Sequence, residues 1–173
     1  MSEFCIYGVS AIIKRTVNGK MCILLQERYK GENSSETGLL ETPCGKVKIT
    51  ESAFDVIRKK VFVETGIKVT NINGESDVSL FKINGYKVIE FKPFFTSQNL
   101  ENNYSLLMDF FICEAEGEHC SNSPEAKNIR WIPLDIVKNM LNNRPEVFYP
   151  MIIGALKAFC KEQNEIEFQK VNT

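Results

Sequence analysis

The sequence predicts a layered domain of the α/β (α+β) class, with a mixed β-sheet and a small number of helices. Three observations predict this class. Many short runs rich in β-branched and aromatic residues, separated by turn signals, are typical of strands. One helical pattern stands in the middle of the chain, and further helical patterns stand near its end. Strands and helices do not alternate regularly, so a uniformly parallel sheet is not expected.

The strands follow from local turn chemistry and from apolar runs. Asn-Gly pairs at 18–19 and 84–85 are typical of two-residue hairpin turns. They predict two hairpins, formed by residues 4–14 with 21–28 and by residues 76–83 with 86–95. A short strand followed by a turn is predicted at 68–74. The other predicted strands are the very apolar 106–117, which we expect at the sheet centre, and 129–137, which passes at Pro133 into a short helix ending near Asn142 and Asn143. Loops are predicted at 29–38, 97–105 and 118–128, and a last helix at 151–163.

The composition is that of an ordinary globular domain. The 173 residues are 43% hydrophobic and 25% charged, which suits a single domain over 1–173 with its core at about 4–163 and a polar C-terminal tail at 164–173. A net charge of −1 gives no reason to expect nucleic acid or an anionic membrane as a partner. No apolar run approaches the roughly 20 residues that span a bilayer, and the N-terminus does not resemble a signal peptide.

The cysteines indicate a reducing compartment. The six cysteines show no CxxC pairing, and most lie in apolar runs, so we expect buried thiols in a cytoplasmic protein. The single histidine, His119, and the absence of ligand spacing argue against a zinc site.

The stretch at 45–67, GKVKITESAFDVIRKKVFVETGI, predicts a loop, a helix and a stop signal. Thr50 is suited to the N-cap, and Glu51 to the first turn, where the helix dipole favours an anion. Gly66 is suited to a left-handed C-terminal position. The apolar residues recur at three- and four-residue spacing, which predicts one buried face: Phe54, Ile57 and Val61.

The same stretch resembles the signature of the Nudix hydrolase family, which is Gly, five residues, Glu, seven residues, and then Arg-Glu-apolar-x-Glu-Glu-x-Gly-apolar. The residues in register are Gly45, Glu51, Val61, Glu64, Gly66 and Ile67. Lys59 replaces the family's Arg, and Lys60 and Val63 replace two glutamates. The segments LLQER, ETPCG and IRWIPLD are similar to family segments too. The resemblance implies a Nudix-like mixed sheet sandwiched between helices.

The resemblance also implies a chemistry, the cleavage of a nucleoside diphosphate linked to another group, with Mg²⁺ or Mn²⁺ held by glutamates. It assigns Glu64 as a catalytic residue and metal ligand, the backbone carbonyl of Cys44 as a second metal ligand, and Glu125 as a base or ligand recruited from a loop. One signature carboxylate remains where three are usual. For Glu125 the alternative is an ordinary acidic loop, because Glu114, Glu116 and Glu118 lie nearby.

Lys60 has two interpretations. Its ammonium, four residues before Glu64, could replace the metal as a fixed positive charge facing a diphosphate, which favours binding without a metal and without hydrolysis. Alternatively, Lys59 and Lys60 form a solvated helix patch.

Lys59 and Lys60 are the candidates for ligand binding on the helix, and further candidates lie outside it. Glu41, in ETPCG, resembles the glutamate before proline in ADP-ribose pyrophosphatases, or it faces solvent at a strand end. Arg28 could line a base or sugar pocket with strand aromatics, which are more often core residues: Phe81, Tyr86, Phe94 and Phe95. Trp131 is expected in the core.

Three functions remain open at this point: a hydrolase of nucleoside-diphosphate derivatives that needs Mg²⁺ or Mn²⁺, an inactive domain that binds a nucleotide or ADP-ribose-type ligand without a cofactor, and an interaction module. The family resemblance also makes a homodimer an expectation.

Overall fold

The structure is a computed structural model that describes residues 4–101 and 105–171. The strands in this part of the chain are β1 (Ile6–Val17), β2 (Lys20–Arg28), β3 (Leu40–Glu41), β4 (Cys44–Lys46), β5 (Lys68–Ile72), β6 (Ser79–Ile83), β7 (Tyr86–Glu90), β8 (Phe95–Asn99), β9 (Leu106–Glu116) and β10 (Ala126–Pro133). The helices are α1 (Ala53–Thr65), α2 (Leu134–Asn143) and α3 (Pro150–Val171).

Eight of the described strands form one mixed sheet, which confirms the predicted fold class. Its main path runs β10-β2-β1-β9-β5, with β3 beside β2, β4 beside β1 and β8 beside β9. β1 and β9 pair in parallel, and the other pairs are antiparallel. The apolar β9 lies near the sheet centre, as predicted for 106–117. β6 and β7 form a separate two-stranded sheet.

The sheet is buried on both faces, so helices cover both sides of it. Neighbouring residues of β9 point to opposite faces because side chains alternate along a strand. Phe110 packs in one core with Val137 of α2 and Phe159 of α3. Phe111 packs in the other core with Phe54 of α1. The structure therefore has the sheet between helical layers that the family resemblance implied.

Both predicted hairpin turns are present. Asn18 and Gly19 have φ angles of 49° and 76°, and Asn84 and Gly85 have φ angles of 50° and 81°. Two consecutive positive φ angles fit the right-handed twist of the flanking strands, and asparagine and glycine tolerate them best. A local sequence signal was sufficient to predict these turns.

Helix α1 ends where predicted but begins later. Gly66 has φ 81°, and its N–H donates to the carbonyl of Phe62 at 2.8 Å, which confirms the predicted C-terminus. The predicted N-cap was wrong: the Oγ of Ser52, not of Thr50, accepts a hydrogen bond from the Asp55 N–H at 3.1 Å. Thr50 has φ 72° and lies in the turn before the helix. Glu51 therefore precedes the first turn and accepts from the Lys48 N–H at 3.2 Å.

Several predicted boundaries differ from the structure; β10, for example, begins at Ala126, inside the predicted loop at 118–128. The predicted loop at 97–105 begins inside β8, which pairs with β9, and its residues 102–104 lie outside the described residues. Two short strands that the sequence did not predict, β3 and β4, lie in the segment before α1. Helix α3 continues to Val171, so most of the predicted polar tail at 164–173 is helical, while residues 172–173 lie outside the description.

The six cysteines are free thiols, three of them buried, one half-buried, and Cys5 and Cys120 exposed. Among the described helices, none is long and apolar enough to cross a membrane.

A candidate anion-binding cleft

A cleft of about 510 Å³ opens where β1, β2, β4 and α1 meet. Its wall is mostly basic. Within the described part of the chain, five cationic side chains and one carboxylate line it: Arg28, Lys30, Lys46, Lys48, Lys60 and Glu125. Leu106, Met108 and the ring of Tyr149 form an apolar portion of the wall. A concave site that combines several cations with an apolar surface is suited to an anionic organic ligand.

Lys60 lies between two carboxylates. Its Nζ is 3.0 Å from Oε2 of Glu125 and 3.9 Å from Oε1 of Glu64, one helical turn further along α1. Burial lowers the pKa of Lys60, but the hydrogen bond to Glu125 and the charge of Glu64 outweigh burial, so the pKa is raised overall. The side chain is therefore a charged ammonium that both carboxylates hold at the cleft wall.

Gly45 allows Lys60 to reach this position. A Cβ added to Gly45 would lie 2.5 Å from Cγ of Lys60 and 3.0 Å from a methyl group of Val56. The alkyl chain of Lys60 therefore crosses directly over the backbone of β4. No side chain other than hydrogen fits beneath it without displacing Lys60 or α1.

Glu64 is a buried carboxyl group, with 3% of the residue exposed. Its Oε2 accepts a hydrogen bond of 2.7 Å from Nε2 of Gln26 on β2. Burial raises the pKa of Glu64 to about 7, since the loss of hydration outweighs the stabilising amide of Gln26 and the ammonium of Lys60. Near neutral pH this group can therefore hold or release a proton.

A second buried network supports the floor of the cleft. Arg28 donates from Nη1 to Glu41 and from Nε to Oε2 of Glu36 at 3.0 Å. Its guanidinium lies 4.1 Å from the centroid of the Tyr149 ring, and Glu41 is buried rather than facing solvent. Nε2 of Gln26 is 3.4 Å from Glu41 as well as bonded to Glu64, so it connects the two buried carboxylates. This network holds Arg28 rigidly at the cleft.

The structure brings most, but not all, of the predicted site residues together. Arg28, Lys60, Glu125 and Cys44 line the cleft, with Glu41 and Glu64 directly behind the wall. Burial raises the pKa of the Cys44 thiol, and the charges of Glu41 and Glu64 raise it further. The predicted ligand residue Lys59 is not part of the lining: its side chain is 66% exposed and pairs with Glu51 at 3.7 Å.

The strand aromatics that were considered as pocket residues do not line the cleft. Phe94 and Phe95 pack against the core on the α3 face, and Trp131 packs against the other core, so these three fit the core interpretation. Phe81 and Tyr86 are exposed on the β6–β7 hairpin, outside both cores and outside the cleft lining.

Sequence reasoning missed several residues of the site. The two lysines of the segment GKVKIT, Lys46 and Lys48, alternate beside Gly45 as side chains on one face of an extended segment do, and this spacing was an available signal. Gln26 and Tyr149 had no such signal, because long-range contacts with Glu64 and Arg28 bring them to the site.

The residues of the cleft do not fit a magnesium site. Mg²⁺ needs an octahedral set of oxygen ligands. Glu64 and Glu125 approach a common point, but the ammonium of Lys60 lies there. No group of three or more histidine, cysteine, aspartate or glutamate side chains within the described ranges is arranged to hold a metal ion.

Comparison with known proteins gives the family. No curated protein matches the sequence significantly. Several solved structures share the fold of this chain, and their sequence identities are too low to show more than the fold. A MutT protein from Methanosarcina mazei Go1 has 21% identity and a TM-score of 0.60, over 94% of this chain and 99% of that chain. The NUDIX domain of Shewanella oneidensis NrtR, complexed with ADP ribose, has 13% identity and a TM-score of 0.57, over 80% of this chain and 79% of that domain. A C. elegans Ap4A hydrolase in a binary complex has 14% identity and a TM-score of 0.55, over 92% of this chain and 98% of the hydrolase chain.

The sequence itself matches the NUDIX domain over residues 7–152, which is most of its length and includes β1, the cleft and the start of α3. The resemblance that the 45–67 stretch suggested therefore extends over the whole sheet, and this chain belongs to the NUDIX domain family.

Proposed function

We propose that this protein binds a small molecule built on a nucleoside diphosphate in the basic cleft, and that it hydrolyses this ligand weakly or not at all. The observation that carries the proposal is the position of the Lys60 ammonium between the carboxylates of Glu64 and Glu125. Lysine is a capable phosphate binder. It does not, however, lower the pKa of a bound water as a metal ion does.

The other cations of the cleft support the proposal. Lys30 and Lys48 line it from two different loops, and Arg28 is held at its floor by Glu41 and Glu36. Cations from several elements can together contact a chain of phosphate groups, while the Tyr149 ring and Met108 offer an apolar surface to the rest of the ligand. Two relatives of similar fold are a domain complexed with ADP ribose and an Ap4A hydrolase, which supports the same ligand class.

The second candidate is a hydrolase that depends on Mg²⁺ or Mn²⁺. It is favoured by one observation: Glu64 and Glu125 both approach the same ammonium, so they would face one metal ion if Lys60 moved away. In this alternative the backbone carbonyl of Cys44 would add a ligand. Our proposal assigns Glu64 instead to holding Lys60.

The two candidates are separated by measuring turnover and binding on the same samples. A panel of nucleoside diphosphate derivatives is incubated with Mg²⁺ or Mn²⁺, and ADP-ribose binding is measured by calorimetry with a chelator present. We expect little turnover and metal-free binding that Lys60→Met weakens. Lys59→Met is the matched control, because its neighbouring ammonium lies outside the cleft lining.

Robust turnover that disappears in Glu64→Gln would establish the hydrolase instead. Equal loss of binding in Lys59→Met and Lys60→Met would show that only the general charge of α1 matters.

We also propose that the protein works in the cytoplasm, where its free thiols stay reduced, and that it forms a homodimer. Light scattering on the purified protein tests the dimer directly.

A further inference from the structure

Glu125 makes a contact that bears directly on ligand binding. Its carboxylate lies 3.0 Å from the Lys60 ammonium, the group to which we assign the ligand's diphosphate. Its side chain is 52% exposed at the mouth of the cleft. One ammonium therefore has two competing anionic partners, an internal carboxylate and a phosphate.

The backbone of Glu125 is fixed, while its side chain has one polar contact within the described residues. The Glu125 carbonyl accepts a hydrogen bond from the Tyr29 N–H at 3.3 Å. The next residue, Ala126, begins β10 and pairs with Arg28 on β2. In the described part of the chain, the carboxylate itself forms a hydrogen bond only with Lys60. A rotation of the Glu125 side chain is enough to release Lys60, with no movement of the sheet.

We propose that Glu125 determines specificity as a displaceable counter-ion, whose carboxylate must leave Lys60 before a phosphate group can bind there. The inference rests on the function proposed above. A singly charged anion that binds Lys60 replaces the contact with the Glu125 carboxylate by one contact of the same charge, and it gains little from the exchange. A diphosphate brings several negative charges, which Lys30 and Lys48 in the same cleft can also contact. Glu125 thereby excludes weak anions and admits phosphate chains.

This role predicts the opposite result from a catalytic or metal-binding role. Removing a competing carboxylate strengthens ligand binding without metal. Removing a general base or metal ligand leaves metal-free binding unchanged and lowers metal-dependent turnover. The sign of the effect of one substitution therefore separates the two roles.

The test is calorimetry of inorganic pyrophosphate and, separately, ADP-ribose, with EDTA present. The variant is Glu125→Gln, which keeps the size of the side chain and removes its charge. The matched control is Glu114→Gln, because Glu114 is equally exposed at 53%, pairs with Lys14 at 3.6 Å, and lies outside the cleft lining. Both variants change the net charge equally.

We expect Glu125→Gln to bind pyrophosphate about threefold more tightly than the wild type, the range typical of a half-exposed ion pair. Glu114→Gln should bind as the wild type does. In a Lys60→Met background the gain from Glu125→Gln should disappear, because the competition is for that ammonium.

Three results would overturn the inference. If Glu125→Gln binds no more tightly than Glu114→Gln while the wild type binds, this inference fails and the proposed function stands. The inference also fails if Glu125→Gln abolishes a robust Mg²⁺-dependent turnover and leaves metal-free binding unchanged, and in that case the proposed weak hydrolysis fails with it. If the wild type binds neither pyrophosphate nor ADP-ribose, both the proposed function and this inference fail.

Discussion

At the scale of single residues, the buried carboxyl of Glu64 couples stability to pH. Burial raises its pKa in the folded protein to about 7, from 4.5 in an exposed chain. Between these two values the folded state keeps a proton that the unfolded state has lost. Raising the pH therefore favours unfolding in this window, and the contribution of Glu64 to stability falls by up to about 1.4 kcal/mol per pH unit.

The first prediction compares wild type with Glu64→Gln. Denaturant unfolding is measured from pH 5 to pH 8, and the difference in free energy between the two proteins isolates this one group. We expect the wild type to lose stability relative to Glu64→Gln as the pH rises from 5 to 7, with no further change above that. A difference that stays constant over this range would mean that Lys60 keeps Glu64 ionised throughout.

The second prediction concerns the point that Lys60 occupies. Lys60→Glu places a third carboxylate beside Glu64 and Glu125, which is a ligand set suited to Mg²⁺. We expect this variant to gain Mg²⁺ affinity, measured by calorimetry, and to be less stable than wild type without metal because three carboxylates repel one another.

Val63→Glu is the control for that substitution. Val63 is 56% exposed and does not line the cleft, although it occupies a signature position. The single variant should gain no metal affinity, and adding it to Lys60→Glu should change little. A gain that requires both substitutions would show that α1 turns further toward the cleft than the structure describes.

At the scale of elements, the packing of α1 on β4 fixes the direction of Lys60. A Cβ at Gly45 would overlap Cγ of Lys60 at 2.5 Å. The third prediction is that Gly45→Ala weakens pyrophosphate binding by several-fold, because Lys60 must leave its place, and costs about 1–3 kcal/mol of stability through overpacking. Calorimetry and denaturant unfolding measure the two effects.

Gly8→Ala serves as the matched control, since Gly8 lies on β1 in the same cleft but its added Cβ would approach neighbours no closer than 3.4 Å. It should change stability much less than Gly45→Ala. If both variants bind pyrophosphate as the wild type does, the crossing of Lys60 over β4 does not determine the site.

The elements predicted correctly were those with local signals. Asn-Gly pairs specify both hairpins, and Gly66 ends α1, because each depends on the backbone freedom of one or two residues. The start of α1 was mispredicted because threonine and serine are both favoured at the N-cap, and only the turn before the helix decides between Thr50 and Ser52. Strand β8 was missed because its sequence, FTSQN, is polar and is held as a strand by pairing with β9.

In the candidate site, too, the sequence predicted the contacts that depend on local spacing and missed those that depend on long-range folding. The spacing of the signature placed Lys60 and Glu64 on one helix face, and their ion pair follows from that spacing. The sequence did not reveal that Lys60 also pairs with Glu125, which is 65 residues away along the chain. Gln26 and Tyr149 join the site only through the folding of the whole sheet.

At the scale of the whole molecule, β9 connects two hydrophobic cores that lie on opposite faces of the sheet. Phe110 and Phe111 are fully buried and adjacent in sequence, yet each packs in a different core. The cations of the cleft come from β2, β4, α1 and two loops, and its apolar wall consists of residues of the core on the α2–α3 face, Leu106, Met108 and Tyr149. Its geometry therefore depends on both cores folding together.

The fourth prediction tests whether the two cores unfold as one unit. Phe110→Ala and Phe111→Ala should each cost about 3–5 kcal/mol, because each leaves a cavity in a packed core. Leu100→Ala, at a residue that is 84% exposed, should cost less than about 0.5 kcal/mol. If the sheet joins the cores into one cooperative unit, each variant shows a single transition with the wild-type dependence on denaturant. A second transition in Phe110→Ala would mean that the α2–α3 layer unfolds separately from the α1 layer, and the two cores would then not form one cooperative unit.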